Sequence, residues 1–362
     1  MRLVRREELD QLERHLAAVV DRTLSPSAGD GLDDVVACLK SYVLGGGKRI
    51  RPQLCLWTCG QFDVDGAWRH RPQGGVLDLA CAWELFHAFL LAHDDIIDNG
   101  DVRRDQPSLH RRLAELDSGC RMFGVNLAII GGDLLFAAAM SLLHELELPP
   151  ERYRAVLKLF SRVAAQTGLG QAIDLVQGHV PLDEVREEAL LREYGWKTAV
   201  YTFEGPMLSG AIAAGADAAC RAAISRFALA LGQAYQLQND LLDLSVPAHA
   251  GCDLVQGKRT VTLMRARAAM SPEQRRALEE RLARAMRGDE AGVAEAERLR
   301  QELLSGGAAA MSAVVVGQLL SQAEAAAGDA ALPASLRSGL CGLLTTLRES
   351  YFRDVAAVTP SG

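Results

Sequence analysis

Two long apolar runs of this chain end in carboxylates. Asp94-Asp95-Ile96-Ile97-Asp98 closes the run that begins near residue 75. Asn239-Asp240-Leu241-Leu242-Asp243 closes the run that begins near residue 217. Runs of this kind are helical, and residues four apart then lie one turn apart on one face. Asp94 and Asp98 therefore point the same way. Like charges on one face repel, and the negative end of the helix dipole adds to the cost. Such a helix end needs something positive beside it. Carboxylate oxygens suit a hard divalent cation, and Mg²⁺ takes one or two of them and fills its shell with water and phosphate oxygens. A single cluster could equally be a solvated acidic helix end. A related pair, with the basic motifs below, points to a Mg²⁺–diphosphate site.

Helix signals run through the whole sequence. Ala, Leu, Arg, Glu and Gln are abundant, and strict polar–apolar alternation is almost absent. The spacing predicts helices over 5–24, 32–44, 52–62, 75–98, 107–117, 121–146, 151–177, 183–203 and 217–245, with further runs between 258 and 356. Breaks fall at Gly45-Gly46-Gly47, Gly74-Gly75, Pro149-Pro150, Pro181, Pro206, Pro247 and Pro333. No long linker divides the chain. The expectation is one all-α domain over 1–362, with an N-terminal helix and linker in 1–30 and a tail in 357–362. A hydrophobic content of 49% is enough for a large core.

Composition narrows the function. A net charge of −7 argues against a nucleic-acid binder. The eight cysteines contain no CxxC pair and are expected to be reduced thiols. The N-terminus lacks an apolar signal region, so a cytoplasmic location is expected. Val125 to His144 is apolar enough to resemble a membrane span. Asn126, Gly131, Gly132 and Asp133 interrupt it, and a central Asp costs about 2.5–3.5 kcal/mol in lipid. The expectation is a buried helix and no transmembrane segment.

Cations flank the acidic clusters. Gly45-Gly46-Gly47-Lys48-Arg49-Ile50-Arg51-Pro52 joins a glycine turn to basic residues and a Pro at a helix start. Glycines let backbone N–H groups approach an anion, and Lys48 and Arg51 can grip it. Arg103 and Arg104 follow the first cluster and suit diphosphate oxygens; salt bridges to Asp101 or Asp105 are the alternative. Lys197-Thr198 and Lys258-Arg259-Thr260 add further cations. His87 stands two turns before Asp94, on the same helix face.

The ordered set of motifs resembles the trans-isoprenyl diphosphate synthases, or polyprenyl synthetases. It comprises GGGKRIRP at 45–52, ELFHAFLLAHDDIID at 84–98, RRDQPSLH at 103–110, GGDLL at 131–135, GLGQAID at 168–174, KTA at 197–199, YQLQNDLLD at 235–243 and DLVQGKRT at 253–260. The resemblance implies an all-α bundle around a deep central cavity, usually a homodimer. It implies ionisation of an allylic diphosphate, attack by isopentenyl diphosphate and loss of a proton. It also implies three Mg²⁺ ions, held by Asp94, Asp95 and Asp98 with Asn239, Asp240 and Asp243 opposite. Gln171 and Asp174 would support the metal and allylic side. Arg103, Lys197 and Lys258 would grip the allylic diphosphate. Lys48, Arg51, His87 and Arg104 would hold isopentenyl diphosphate. Thr198 and Gln236 would present oxygen dipoles to the carbocation.

In this family a bulky residue five before the first Asp acts as a tunnel floor. Here that residue is Phe89, followed by the smaller Leu90, which resembles synthases that stop near C20. Met122, Phe123 and Phe136 could also narrow the tunnel. Geranylgeranyl diphosphate is the expected product, with C15 and then C25 or longer as alternatives.

Three departures stand out. Asn239 replaces the first Asp of the second cluster. The loop before Asp253 is short and lacks the usual Lys, with His249 the nearest polar residue. Asp105 replaces a Gly. A divergent cyclase or transferase, or a regulatory partner of another synthase, therefore stays open beside the elongating enzyme. A cyclase would want a hydroxyl at 243 and an acid at 247, where the chain has Asp243 and Pro247.

Overall fold

The computed structural model describes residues 3–25, 31–62, 75–103, 106–248 and 252–351. Arg104, Asp105, His249 and the expected tail lie outside the described residues. By their contacts the residues group into two compact units. One comprises Met1–Leu159 with Pro206–Ala216, the other Phe160–Gly205 with Asp217–Gly362.

The first unit is built around α4 (Val76–Ile97), which packs against α1 (Arg6–Thr23), α3 (Ile50–Gly60), α5 (Leu109–Ala114) and α6 (Arg121–His144). α2 (Asp33–Leu44) packs on α1 and α5. The sequence of α4 is apolar almost all round, so it is enclosed on every side. Leu79, Trp83, Leu85 and Phe86 are fully buried, and each contributes about 1.5–3 kcal/mol by leaving water. Trp83 also donates its indole N–H to Ser209 Oγ at 3.0 Å. The helix ends where Asn99 turns left-handed at φ +51°, and the Gly100 N–H bonds back to the Asp95 carbonyl at 2.8 Å. That stop leaves the first acidic cluster on the final turn.

α6 departs from expectation. By length and composition both α4 and α6 could cross a membrane, not one stretch alone. Within the most apolar part of α6 only 39% is buried, against 78% for α4. The reason is coverage: α4 and α5 cover one side, and Met122, Phe123, Ile129, Ile130 and Leu134 stand exposed on the other. The expectation of a buried helix is thus corrected to a half-covered one. Among the described residues the sole strand pair is β1 (Val102–Arg103) with β2 (Gln106–Pro107), antiparallel, with Arg103 opposite Gln106.

The second unit centres on α10 (Ala218–Ser245), packed against α15 (Ala308–Ala327) and a π-helix over Gly195–Glu204. Asp217 caps α10 by accepting the Cys220 N–H at 2.8 Å. The expected helix over 183–203 is divided into α8 (Glu187–Tyr194) and the π-helix. The expected break at Pro206 is not one. The Gly205 N–H bonds back to the Val200 carbonyl, and the helical backbone continues from the π-helix into α9 (Gly205–Ala214), of which Pro206 onward groups with the first unit. α7 (Pro150–Gln177) passes from the first unit into the second at Phe160 and carries Asp174 near its end. Beyond α10 the short helices α11 (Asp253–Gln256) and α12 (Val261–Ala268) lead to α13 (Pro272–Ala285), α14 (Glu290–Ser305), α15 and α16 (Ala334–Ser350).

Candidate active site

The first unit separates the three carboxylates of its cluster. Asp95 is buried, with 2% exposure, whereas Asp94 keeps about a third of its side-chain surface, 31%. Arg103 reaches over from β1 and donates its Nε–H to Asp95 Oδ1 at 2.6 Å. Its Nη2 lies 3.6 Å from Asp94 Oδ2. Burial pushes the Asp95 carboxyl above its ordinary range against the pull of Arg103. Burial also opposes the Arg103 charge, yet Asp95 raises the Arg103 pKa overall. The second oxygen, Asp95 Oδ2, is buried with no hydrogen-bond partner among the described residues. Asp94 and Asp98, one turn apart, are both partly exposed.

Beside this cluster lies a cavity of about 320 Å³ whose lining includes Tyr42, Arg49, Glu84, His87, Arg103 and Arg112. That size falls at the lower end of small-molecule sites, about 300–1,000 Å³. His87 and Arg103 thus meet at one cavity. Lys48 is exposed on the adjoining loop and Arg51 is buried at the start of α3; neither is among the residues lining the cavity. The loop turns through Gly46 at φ +89° and Gly47 at φ +139°, where a side chain would strain the backbone. The sequence reading assigned nothing to Arg49, Arg112, Tyr42 or Glu84. The adjacent basic residues of the motif were the available signal for Arg49.

The second unit carries the other set. Two consecutive residues of the π-helix, Lys197 and Thr198, each meet a polar partner. The Lys197 ammonium pairs with Asp174 of α7. Thr198 Oγ1 donates to Gln236 Oε1 at 2.7 Å. Gln236 Nε2 then donates to Asp240 Oδ1 at 2.9 Å, and the Tyr194 hydroxyl donates to Asp240 Oδ2. Tyr194 in turn accepts the Val261 N–H at 3.0 Å. The single-residue widening of a π-helix often marks a functional site. Gly170 on α7 allows the approach: a Cβ there would come within 2.7 Å of the Lys197 Cα.

Charge is concentrated here. Burial, and next the Asp253 charge, push Asp240 up to about 7, against the hydrogen bonds of Tyr194 and Gln236. Glu193, also buried, is raised by burial and by the Asp174 and Asp240 charges. Lys258 pairs with Asp253 at 3.2 Å, and Asp243 Oδ2 accepts the Asp253 N–H at 3.1 Å. Asn239 points its Oδ1 at the Tyr351 hydroxyl, and the Tyr351 ring stacks on Tyr235 with centroids 4.6 Å apart. Gln171 Nε2 is buried and donates to nothing among the described residues. Glu193, Tyr194 and Tyr351 had no motif to mark them.

One aromatic wall completes the first unit. Phe89 stands 5.7 Å from Phe86 and 5.2 Å from Phe136 by ring centroids. His93 lies edge-on to Phe89 at 4.8 Å. The wall therefore joins α4 to α6, one turn and more above Asp94.

The profile of the polyprenyl synthetase family matches residues 33–299. The chain belongs to that family. A geranylgeranyl diphosphate synthase of Pantoea ananas is 34% identical over 276 residues, covering 74% of this chain and 82% of that one. A geranylfarnesyl diphosphate synthase of Natronomonas pharaonis is 32% identical over 241 residues, covering 62% and 67%. Among solved structures, a geranylgeranyl pyrophosphate synthase from Corynebacterium glutamicum, complexed with isoprenyl diphosphate and magnesium, superposes with a TM-score of 0.78 at 27% identity. That match covers 95% of this chain and 98% of the other. As a polyprenyl synthetase the chain is a trans-prenyltransferase with an all-α fold. The motifs that carried the resemblance fall inside or at the edge of described helices, except that Arg103, Gln106 and Pro107 lie on the β1–β2 pair and Arg104 and Asp105 lie outside the described residues.

Proposed function

We propose that this polyprenyl synthetase joins isopentenyl diphosphate to an allylic diphosphate and releases inorganic diphosphate, giving an all-trans prenyl diphosphate of C20. The observation that carries the reading is Arg103 clamped on Asp95 beside the exposed Asp94. A cation and a carboxylate are held together where a diphosphate and its metal would both bind.

Mg²⁺ fits these residues. No three carboxylate, imidazole or thiol groups among the described residues converge to hold a cation alone. Two carboxylates one turn apart, with phosphate oxygens to complete the shell, are what Mg²⁺ accepts. In the second unit the crowded acids around Asp240 call for positive charge. Asp94 and Asp98 would hold Mg²⁺ in the first unit, and Asp174 and Asp243 in the second; the family expectation is three ions. When bound, Mg²⁺ neutralises the diphosphate that departs.

The chain's own groups do the rest. Arg103 in the first unit, and Lys197 and Lys258 in the second, supply the kind of positive charge that stabilises an allylic diphosphate as its C1–O bond breaks. His87, Lys48 and Arg51 hold isopentenyl diphosphate, whose double bond attacks C1. Thr198 and Gln236 turn oxygen atoms toward the carbocation. The proton from C2 of the former isopentenyl unit passes to the departing diphosphate, and its C–H electron pair forms the C2–C3 double bond of the new allylic chain. Apolar walls keep water from the cation. Phe89 and Phe136 limit the length of the chain. The enzyme acts as a homodimer through the open apolar face of α6, since exposed patches of this kind mark interfaces.

Product analysis tests the reading. Purified protein is incubated with Mg²⁺, isopentenyl diphosphate and, separately, C5, C10 and C15 allylic diphosphates. A linear C20 diphosphate is the expected product. A C25 product would move the chain floor deeper. Intact substrates, or a hydrocarbon, would put Asn239 and the short loop at the centre of a changed function.

A further inference from the structure

The N-terminal helix has no part in the motifs, yet it is tied to the cation loop. Arg49, which follows Lys48 at the end of that loop, is turned inward with 3% exposure. Its backbone is left-handed, at φ +45°, a conformation a non-glycine residue keeps only when its surroundings impose it. The surroundings are on α1, α2 and α4. Arg49 Nε donates to Glu13 Oε1 of α1 at 2.9 Å and Nη2 to Glu13 Oε2 at 3.3 Å. Nη1 donates to Glu84 Oε1 of α4 at 2.7 Å and to the Val43 carbonyl of α2 at 3.0 Å. A second tie runs beside it. Gln53 Nε2 donates to the Lys48 carbonyl at 2.6 Å, and Gln53 Oε1 accepts the Leu3 N–H at 2.9 Å.

We infer that Glu13 and Arg49 are positioning residues for the isopentenyl diphosphate subsite, and that α1 acts as a clasp on the loop that presents Lys48 and Arg51. The physical reason is geometric. A planar guanidinium that forks between two carboxylates admits one orientation. With its side chain fixed inward, the left-handed Arg49 backbone sets the directions in which its neighbours Lys48 and Ile50 leave the turn. Gln53 fixes the carbonyl of Lys48 in the same way. Loosening the clasp would let a glycine-rich loop sample other turns, and only a fraction of the protein would then be competent to bind. This inference rests on the loop binding isopentenyl diphosphate, as proposed above.

α1 has another attachment that bypasses the loop. His15 pairs with Asp78 of α4 at 2.7 Å. That pair separates positioning from mere helix docking. KM for isopentenyl diphosphate, KM for the allylic primer and kcat are measured for Glu13→Ala, Glu13→Gln, Glu13→Asp, His15→Ala and Lys48→Ala, with circular dichroism to confirm folding. Glu13→Ala and Glu13→Gln are expected to raise KM for isopentenyl diphosphate about tenfold, as a one-in-ten competent population would. KM for the allylic primer and kcat stay within about twofold, and Glu13→Asp restores most of the affinity. His15→Ala is expected to lower the melting temperature and leave both KM values unchanged. An unchanged KM in both Glu13 variants, while Lys48→Ala raises it, would overturn the clasp and leave the subsite standing. An equal rise in His15→Ala would also overturn it, because helix docking alone would then explain the effect. No effect in Lys48→Ala would instead refute the assignment of the loop to isopentenyl diphosphate.

Discussion

Asp94 and Asp95 are chain neighbours with different surroundings, and the difference predicts what each does. A helix turns by about 100° per residue, so adjacent side chains cannot share a face. Asp95 is turned inward to hold Arg103, and Asp94 is left partly in solvent. We expect Asp94→Ala to lower kcat by roughly a hundredfold to a thousandfold, the usual cost of one missing electrostatic contact, with the melting temperature unchanged. Near-normal turnover would remove Asp94 from the site. His110 gives a second test at this scale. It is buried at 1% exposure, and burial lowers its pKa below the ordinary value despite the charges of Asp101 and Asp95. The unfolded chain therefore takes up this proton first as pH falls below about 6.5. Stability from the neutral imidazole is present above that value and is lost on acidification through the folded-state pKa. Between about pH 7.5 and 5.5 the melting temperature of His110→Gln should fall less than that of the wild type. An equal fall would assign the acid sensitivity to other groups. Asp94, Asp95, Asp98, Lys197 and Lys258 could all be named from the sequence because motifs mark residue type and spacing. That Asp95 faces an arginine, and Asn239 a tyrosine from the chain's far end, follows from packing that no spacing encodes.

At the scale of elements, the site depends on how helices end and widen. α4 stops before Asn99, which leaves its carboxylates on the last turn, and the π-helix carries the Lys197 and Thr198 that meet Asp174 and Gln236. The first was legible, since Asp98-Asn99-Gly100 is a stop signal. The second was not: hydrophobic periodicity distinguishes helix from strand but not a π turn from an α turn. The wall formed by Phe86, Phe89 and Phe136 is likewise a property of two elements. Phe89 was expected as the floor, with Phe136 among the residues that could also narrow the tunnel, and Phe136 of α6 stands 5.2 Å from Phe89. We expect Phe89→Ala to shift the product by about one C5 unit and Phe89→Ala/Phe136→Ala to shift it further. Mass spectrometry of the dephosphorylated products reads the difference. An identical product from the single and double variants would place the limit on some other element.

For the molecule as a whole, the chemistry divides between two contact units. The first carries Asp94, Asp98, His87, Arg103 and the cation loop, and the second carries Asp174, Lys197, Gln236, Asp240 and Lys258. Carboxylates one turn apart, Asp94 and Asp98 in the first unit, and the pair Asp240 and Asp243 in the second, have a divalent cation as their natural complement. Chelation of divalent metal should therefore abolish turnover while leaving the helical circular dichroism intact, and Mg²⁺ should restore it. Unfolding on chelation would show the metal to be structural instead.

The sequence by itself determined the helical class, most helix positions, the two acidic clusters and the family, because periodicity and ordered motifs are local patterns written along one strand of chain. Only the tertiary structure decided that α6 keeps an open apolar face, that the helical backbone runs on through Pro206, and that Glu13 on the first helix holds Arg49 of the cation loop. Each of these depends on which surfaces meet in space. Burial, ion pairing and the widening of a helix are settled by neighbours distant in the chain, and a sequence records those neighbours without recording that they touch.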